Sequence, residues 1–261
     1  MTYKTDYHIH STYSDGRSAP EDYIGPAIEA GLSELGFSEH LNLSKGPQNW
    51  IMDPETIPAY LDHIQELKKK NESIKIRIGF EVDFFPGMEK EIRDFIDPFP
   101  LDYVIGSVHY LGEDPVDLGS DFYEGKNIDR LYESYFDNVS AAASSGLFDI
   151  IGHCDLIRIY GYKPSSSPEK LYRNLARIMR KNDIAFELNT NGRNRPIADF
   201  YPERKFLHIF MEEKVPVCVN SDAHMPSRVA QYFDEAYQLL RYTGFTEMAV
   251  FDGRKRKLIP F

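Results

Sequence analysis

His8-Ile9-His10 places two imidazoles two residues apart, and Asp222-Ala223-His224 repeats that spacing near the other end of the 261-residue chain. On an extended strand, residues i and i+2 point to one face, so each pair can present two metal-binding side chains together. Four more such groups each follow an apolar, strand-like run. They stand in Ser38-Glu39-His40, Gly79-Phe80-Glu81, Ser107-Val108-His109 and Gly152-His153-Cys154-Asp155, and Asp15 follows the first pair closely. A carboxylate such as Glu81 at the end of a buried run is costly unless paired, and a cation would meet that cost. Mixed imidazole and carboxylate ligands suit zinc, iron or manganese. The chemistry they support is metal-assisted hydrolysis.

Those groups need a scaffold that delivers strand ends to one place. Strand-like and helix-like segments alternate along the chain. Strands are expected over Tyr7–His10, Leu32–Ser38, Ile74–Val82, Leu101–Val108, Phe148–Ile151, Ile184–Leu188 and Val215–Val219. Helices are expected over Pro20–Ala30, Ile57–Lys70, Glu89–Ile96, Ile128–Ser145, Pro168–Lys181, Glu203–Glu213 and Arg228–Thr243, with Asp53 and Ser167 as N-caps. Glu247 to Phe261 reads as two short strands around a turn at Asp252-Gly253. Seven βα units in a row imply a parallel sheet. Barrel enzymes gather their site at the C-terminal strand ends, and six of the seven predicted strands end in a ligand-type residue. His63 and His208 fall inside predicted helices and are read as ordinary helix residues. Asp83, Asp155 and Asn189 are read as partners of the ligands or as solvated loop groups.

Thirty basic against 41 acidic residues leave a net charge of −11, which argues against a general nucleic-acid partner. No GxGxxG or GxxxxGK[ST] motif follows the first strand, so nucleotide-binding open sheets lose support. Cys154 and Cys218 form no CxxC pair. Met1 to Asp6 is polar, and no apolar run approaches a membrane span. The expectation is one cytoplasmic domain over residues 1–261 with reduced thiols and no membrane partner.

As a set, His8-Ile9-His10-Ser11-Thr12-Tyr13-Ser14-Asp15-Gly16, Ser38-Glu39-His40, Gly79-Phe80-Glu81-Val82-Asp83, Ser107-Val108-His109, Gly152-His153-Cys154-Asp155 and Ser221-Asp222-Ala223-His224 resemble the polymerase and histidinol phosphatase (PHP) superfamily. Within it the resemblance is to the monofunctional histidinol-phosphatase type. The second motif often reads Thr-Asp-His in that family and is Ser-Glu-His here, which keeps the histidine. Glu187-Leu188-Asn189-Thr190-Asn191-Gly192 resembles the family's sixth strand end.

The resemblance implies a distorted (β/α)7 barrel holding three divalent metal ions. Carried over by position, one ion takes His8, His10, Glu81 and Asp222. A second shares Glu81 and adds His109 and His153. A third takes Asp15, His40 and His224. A metal-bridging hydroxide held by Glu81 and Asp222 would attack a small-molecule phosphomonoester, L-histidinol phosphate. Arg158, Arg193 and Arg195 are the candidate phosphate-binding cations, with Arg17 and Lys163 read as solvated charges. Asp83, Glu113, Tyr160 and Tyr162 are candidates to receive a cationic amino-alcohol or an imidazole. The competing readings are a PHP phosphoesterase of other or broad specificity, an amidohydrolase-type hydrolase and a non-catalytic metal-binding domain. The amidohydrolase pattern usually wants a lysine where Glu81 stands.

Overall fold

The computed structural model describes residues 3–45 and 48–261. Seven parallel strands lie in sequence order in one sheet: β1 (Thr5–Asp6), β2 (Glu34–Leu41), β3 (Lys75–Asp83), β4 (Tyr103–Ser107), β5 (Ile150–Ile151), β6 (Ala185–Asn189) and β7 (Val217–Asn220). Each is followed by a helix: α1 (Ile24–Glu29), α2 (Ile57–Lys70), α3 (Glu89–Ile96), α4 (Ile128–Ser144), α5 (Glu169–Lys181), α6 (Leu207–Glu212) and α7 (Phe233–Thr243). The first and last strands meet at a seam. Ile9 and Ala223 form a parallel bridge, and the side chains of Asn220 and Asp6 accept the backbone N–H groups of Tyr7 and Ser221. The sheet is thereby nearly closed into a distorted (β/α)7 barrel.

The alternation of β3 shows how the barrel is filled. Ile76, Ile78, Phe80 and Val82 join the core shared with the helices. Arg77, Gly79, Glu81 and Asp83 stand on the other face. Arg77 pairs with buried Glu34 at one end, and Glu81 and Asp83 occupy the other. Between these layers lies the ring of Tyr103, whose hydroxyl is 2.6 Å from the Tyr7 carbonyl oxygen and 3.0 Å from that of Phe37. Its ring passes so close to β2 and β3 that a Cβ on Gly36 or Gly79 would meet it at 2.4 Å. Tyr103 is fully buried and held at its tip, so it cannot swing away cheaply. Gly79→Ala is expected to cost about 1–3 kcal/mol through overpacking, read as a lower urea midpoint. An unchanged midpoint would show that the barrel interior has slack there.

The tail forms a hairpin, β8 (Glu247–Asp252) and β9 (Lys255–Pro260). Its Ala249, Val250 and Phe251 pack with Tyr7, Tyr103, Ile105, Ile150, Ala185 and Cys218, closing the barrel at the end remote from Glu81. The two turn residues are Gly253 and Arg254, both with positive φ (55° and 63°), as a two-residue primed turn requires. The expected turn is therefore present, one residue later.

Several boundaries differ from expectation. β1 stops at Asp6, and His8 to His10 continue only as an extended segment with the single Ile9 bridge. β2 runs on to Leu41, which brings His40 into a regular strand. The segment from Pro20 opens as a 3-10 turn before α1, and that from Arg204 does the same before α6. Asp53 caps as expected, accepting from the Glu55 N–H. Ser167 does not cap: Pro168 precedes α5 with no side-chain cap. The last helix begins at Phe233, because Ala230 and Tyr232 adopt left-handed φ (54° and 59°) and break it from the 3-10 turn at Pro226–Arg228.

Candidate metal centre

The nine predicted ligand residues converge on the C-terminal end of the barrel, and Glu81 is their hub. One carboxylate oxygen lies 3.2 Å from His8 Nε2, 3.6 Å from His10 Nε2 and 2.6 Å from His40 Nδ1. The other lies 3.0 Å from His153 Nε2 and 3.7 Å from His109 Nε2. Cross-strand register explains part of this, since His40 and Glu81 are direct partners in β2 and β3. Asp222 Oδ1 lies 3.6 Å from His10 Nε2 and 3.9 Å from His8 Nε2. Asp15 Oδ1 lies 3.2 Å from His224 Nε2 and 3.6 Å from His40 Nε2.

Two tight turns set these positions. The loop after His10 doubles back so closely that a Cβ on Gly16 would meet the His10 carbonyl oxygen at 2.1 Å. Buried Glu39 locks that loop by accepting from the Ser11 N–H and from the hydroxyls of Ser11 and Ser14, which holds Asp15 over the site. After β7 the chain turns through Asp222, a left-handed residue (φ 51°). Asp tolerates that conformation better than most.

Donor pairs about 2.0–2.2 Å from one first-row ion stand roughly 3–4 Å apart, the range of these pairs except His40 Nδ1 and Glu81, which are in direct contact at 2.6 Å. Three sets place their donor atoms within 4.8 Å of one another: His8, Glu81 and His153; His8, His10 and Asp222; and His10, Asp15, His40 and His224. His10 thus faces two sets, and His109 reaches the centre through Glu81. The decisive detail is what these atoms lack. Buried His8 Nε2, both ring nitrogens of His10 and His153 Nδ1 have no hydrogen-bond partner in the protein, and Glu81 Oε2 and Asp15 Oδ1 meet only imidazoles of the same cluster. Buried polar atoms are nearly always satisfied, so this concentration of free donors and acceptors fits divalent cations.

The charge balance agrees. Burial pushes the Glu81 carboxyl up, but the surrounding imidazoles of His8, His40 and His109 outweigh it and hold it well below the usual carboxylate range. Asp222 is likewise held at about 2 against its burial, by His8 and His224. Burial, with His40, His224 and His8 close by, holds His10 well below its ordinary value. His10 is a neutral imidazole with a free lone pair, stacked at 4.0 Å on His40.

Two carboxylates orient the imidazoles from behind. Glu187 accepts from His8 Nδ1 at 2.6 Å, and Asp83 from His109 Nδ1 at 2.6 Å, so Nε2 of each ring turns inward. Glu187 also accepts from the His153 N–H and from the amides of Asn189 and Asn220. The sequence points to Asp83 and Asn189 as partners of the ligands but does not single out Glu187. Its signal was the Glu187-x-Asn189 alternation, two polar residues on one face of an apolar strand. Glu187→Gln is expected to weaken metal affinity about 10–100-fold, read by chelator competition. Unchanged affinity would leave Glu187 with a purely structural role.

The predicted cations separate. Arg158 does not reach the centre. Its guanidinium is clamped by Asp155 and Asp199 at 2.9 and 3.0 Å and by the Phe200 carbonyl oxygen, which neutralises it. Arg193 donates to the Ala198 carbonyl oxygen and pairs with Glu235. Arg195 alone of the three lines the mouth, a cavity of about 260 Å³. The expected amine or imidazole receptors also shift. Glu113 is exposed and pairs with Lys45, Asp83 is engaged by His109 and Asn42, and Tyr162 stacks on Tyr123. The mouth presents Trp50, Tyr110 and Asp117 instead. His63 and His208 stay outside, beside Glu21 and the Lys205 carbonyl oxygen.

The PHP domain profile matches residues 6–191, which carry seven of the nine candidate ligands. The chain belongs to the PHP domain family. A probable histidinol-phosphatase of Deinococcus radiodurans is 34% identical to this PHP domain protein across the full length of both chains. The histidinol-phosphatase of Lactococcus lactis is 28% identical over 97% of this chain and 96% of its own. A crystal structure of the Lactococcus lactis histidinol phosphate phosphatase, complexed with zinc, L-histidinol and phosphate, superposes with a TM-score of 0.86 at 27% identity, covering 97% and 98% of the two chains. The PHP fold and this chain's barrel are therefore the same architecture. No described helix is long and apolar enough to cross a membrane.

Proposed function

We propose that this protein is a metal-dependent phosphomonoesterase that hydrolyses L-histidinol phosphate to L-histidinol and phosphate. The carrying observation is the set of buried imidazole and carboxylate atoms around Glu81 with no partner outside their own cluster, in a chain whose full-length relatives bear that activity in their names. His8, His10, Glu81 and Asp222 would hold one ion, Glu81, His109 and His153 a second, and Asp15, His40 and His224 a third. Bound divalent ions supply Lewis acidity, which offsets the charge of a phosphoryl group and makes water nucleophilic near neutral pH.

The chain's own residues do the rest. Glu187 and Asp83 keep the rings of His8 and His109 turned inward, and the Ser107 hydroxyl donates to Glu81 at 2.6 Å and fixes its carboxylate plane. Trp50 and Tyr110 offer flat faces to an imidazole, and Asp117 offers a carboxylate to an ammonium. The whole chain, residues 1–261, acts as one catalytic unit, and its place of work is the cytoplasm, where a soluble amino-acid precursor is made.

The test is phosphate release from a panel of phosphomonoesters, with a phosphodiester and an amide as controls, and metal content measured on the same sample. L-histidinol phosphate is expected to exceed the other monoesters by about 100-fold in kcat/KM, the discrimination that a polar, well-fitted pocket can reach. Comparable turnover across the panel would replace this reading with a phosphatase of broad specificity. A metal-replete protein with no turnover would end the enzymatic reading.

A further inference from the structure

Asp15 differs from the candidate ligands beside it in how it is held. His40 stands in β2, and His10 and His224 flank the bridge between Ile9 and Ala223. Asp15 belongs to no strand or helix. It sits in a turn, with its carboxylate 3.2 Å from His224 and 3.6 Å from His40. Those imidazoles are themselves candidate ligands, so other groups must fix where Asp15 points. The turn closes on one atom: the N–H groups of Ser14 and Gly16 both donate to the Ser11 carbonyl oxygen, at 3.1 and 2.9 Å. The position of Asp15 therefore follows that of Ser11 and Ser14.

Glu39 grips both serines. Its two carboxylate oxygens share the Ser11 N–H, at 3.0 and 3.1 Å, and one accepts from the Ser11 hydroxyl while the other accepts from that of Ser14. The side chain is fully buried, and among the described residues no lysine or arginine pairs with it. A buried carboxylate without a counter-ion is costly, and here every donor that offsets the cost comes from one four-residue turn. Glu39 and His40 are neighbours on β2 and point to opposite faces. One strand thus supplies a ligand on its inner face and the anchor of a second ligand on its outer face. Length matters to the grip: an aspartate would draw the carboxylate back by about 1.5 Å, too far to keep all three donors.

We propose that Glu39 is a positioning residue for one metal site: through Ser11 and Ser14 it places Asp15, and so sets the affinity for the ion that Asp15, His40 and His224 would hold, without setting that of the ions around Glu81. Among the described residues Glu39 makes hydrogen bonds to Ser11 and Ser14 alone. The groups around Glu81 are fixed by other partners: Ser107 holds Glu81 itself, Asp83 holds His109 and Glu187 holds His8. Loss of the grip on the turn therefore reaches Asp15 first. The role rests on the metal-centre reading, yet zinc binding reports it without turnover.

Zinc stoichiometry and affinity are measured by chelator competition on the parent protein, Glu39→Asp, Glu39→Gln, Ser14→Ala, Asp15→Ala and the Glu39→Asp/Asp15→Ala double variant. Glu39→Asp is expected to weaken one zinc site about 10–100-fold and to leave the others within about twofold. Ser14→Ala removes one hydroxyl from the grip and should weaken the same site about fivefold, the worth of one net hydrogen bond. Glu39→Gln keeps the length and can exchange an accepted hydrogen bond for a donated one, so it should lose less than Glu39→Asp. The double variant should bind zinc no more weakly than Asp15→Ala, because the grip then has no ligand left to place. A general loss of stability would not produce that non-additivity. Every site within about twofold of the parent in Glu39→Asp and Ser14→Ala overturns the proposal. So does equal weakening of all sites, or a double variant weaker than Asp15→Ala by the full Glu39→Asp factor, since Glu39 would then support the barrel mouth as a whole. Ser14→Ala and Glu39→Gln carry the test if Glu39→Asp does not fold. A parent protein that binds no zinc ends the metal-centre reading and the role of Glu39 together. If zinc binding changes as expected but no phosphomonoester is turned over, the functional reading fails and the role of Glu39 stands.

Discussion

Replacing Glu81 with alanine is expected to lower phosphate release by about three orders of magnitude and to strip metal from the protein. Among the described residues, Glu81 is the one carboxylate that lies within 4 Å of five imidazoles. Its two oxygens face different donor sets, so its loss opens more than one ion's coordination at once. Metal charge contributes several kcal/mol to a phosphoryl-transfer transition state, and ~4 kcal/mol is a factor of about 10³ in rate. Glu81→Gln keeps the shape and the hydrogen bond from Ser107 but removes the charge that the imidazoles surround. It should therefore fold normally and still lose metal. Metal content by plasma emission and phosphate release on the same preparation decide the matter. An alanine variant that keeps both would refute the site.

Removing the metal from the unaltered protein should lower its melting temperature by on the order of 10 °C. The partnerless ring nitrogens of His8, His10 and His153 are buried, and Glu81 and Asp15 meet only imidazoles of the same cluster, so without cations these atoms stay desolvated with little in exchange. A ligand that binds only the folded chain, present at a thousand times its Kd, adds ~4 kcal/mol. For a chain of this size each kcal/mol moves the melting temperature by about 2–4 °C. Scanning calorimetry before and after chelation, then after zinc is restored, gives the answer. A shift below about 2 °C would mean that the barrel holds its donor cluster together without help, and that the ions serve chemistry alone.

The sequence reading succeeded where one side chain's direction follows from its neighbours. Glu81 could be found because Ile76, Ile78, Phe80 and Val82 alternate with it, and the face opposite four apolar residues had to be the barrel interior. His8 and His10 share a face for the same reason, although the strand that should carry them ends at Asp6. Helices with a clear apolar stripe, such as α2, are legible to the residue, although the Asp53 cap belongs to the 3-10 turn Pro54–Thr56 that leads into it. The last helix was not. Its start depends on the left-handed turns at Ala230 and Tyr232, and Asp6, distant in the chain, accepts the Ala230 N–H there.

By itself, then, the sequence determined the family and the order of βα units and singled out the imidazoles and carboxylates that converge at the barrel mouth, because all three depend on residue type and a period of two. Only the tertiary structure decided which atoms those side chains present and which arginines remain free. His8 offers Nε2 because Glu187, from another strand, occupies Nδ1. Arg158 is silent because Asp199 and Glu203, more than forty residues away, reach its guanidinium. Arg17, Arg195 and Arg228 line one cavity only because the barrel closes and brings the loops after β1, β6 and β7 together. The charge an arginine offers to a ligand is set by the carboxylates within a few ångströms of it, and those distances exist only in the folded chain.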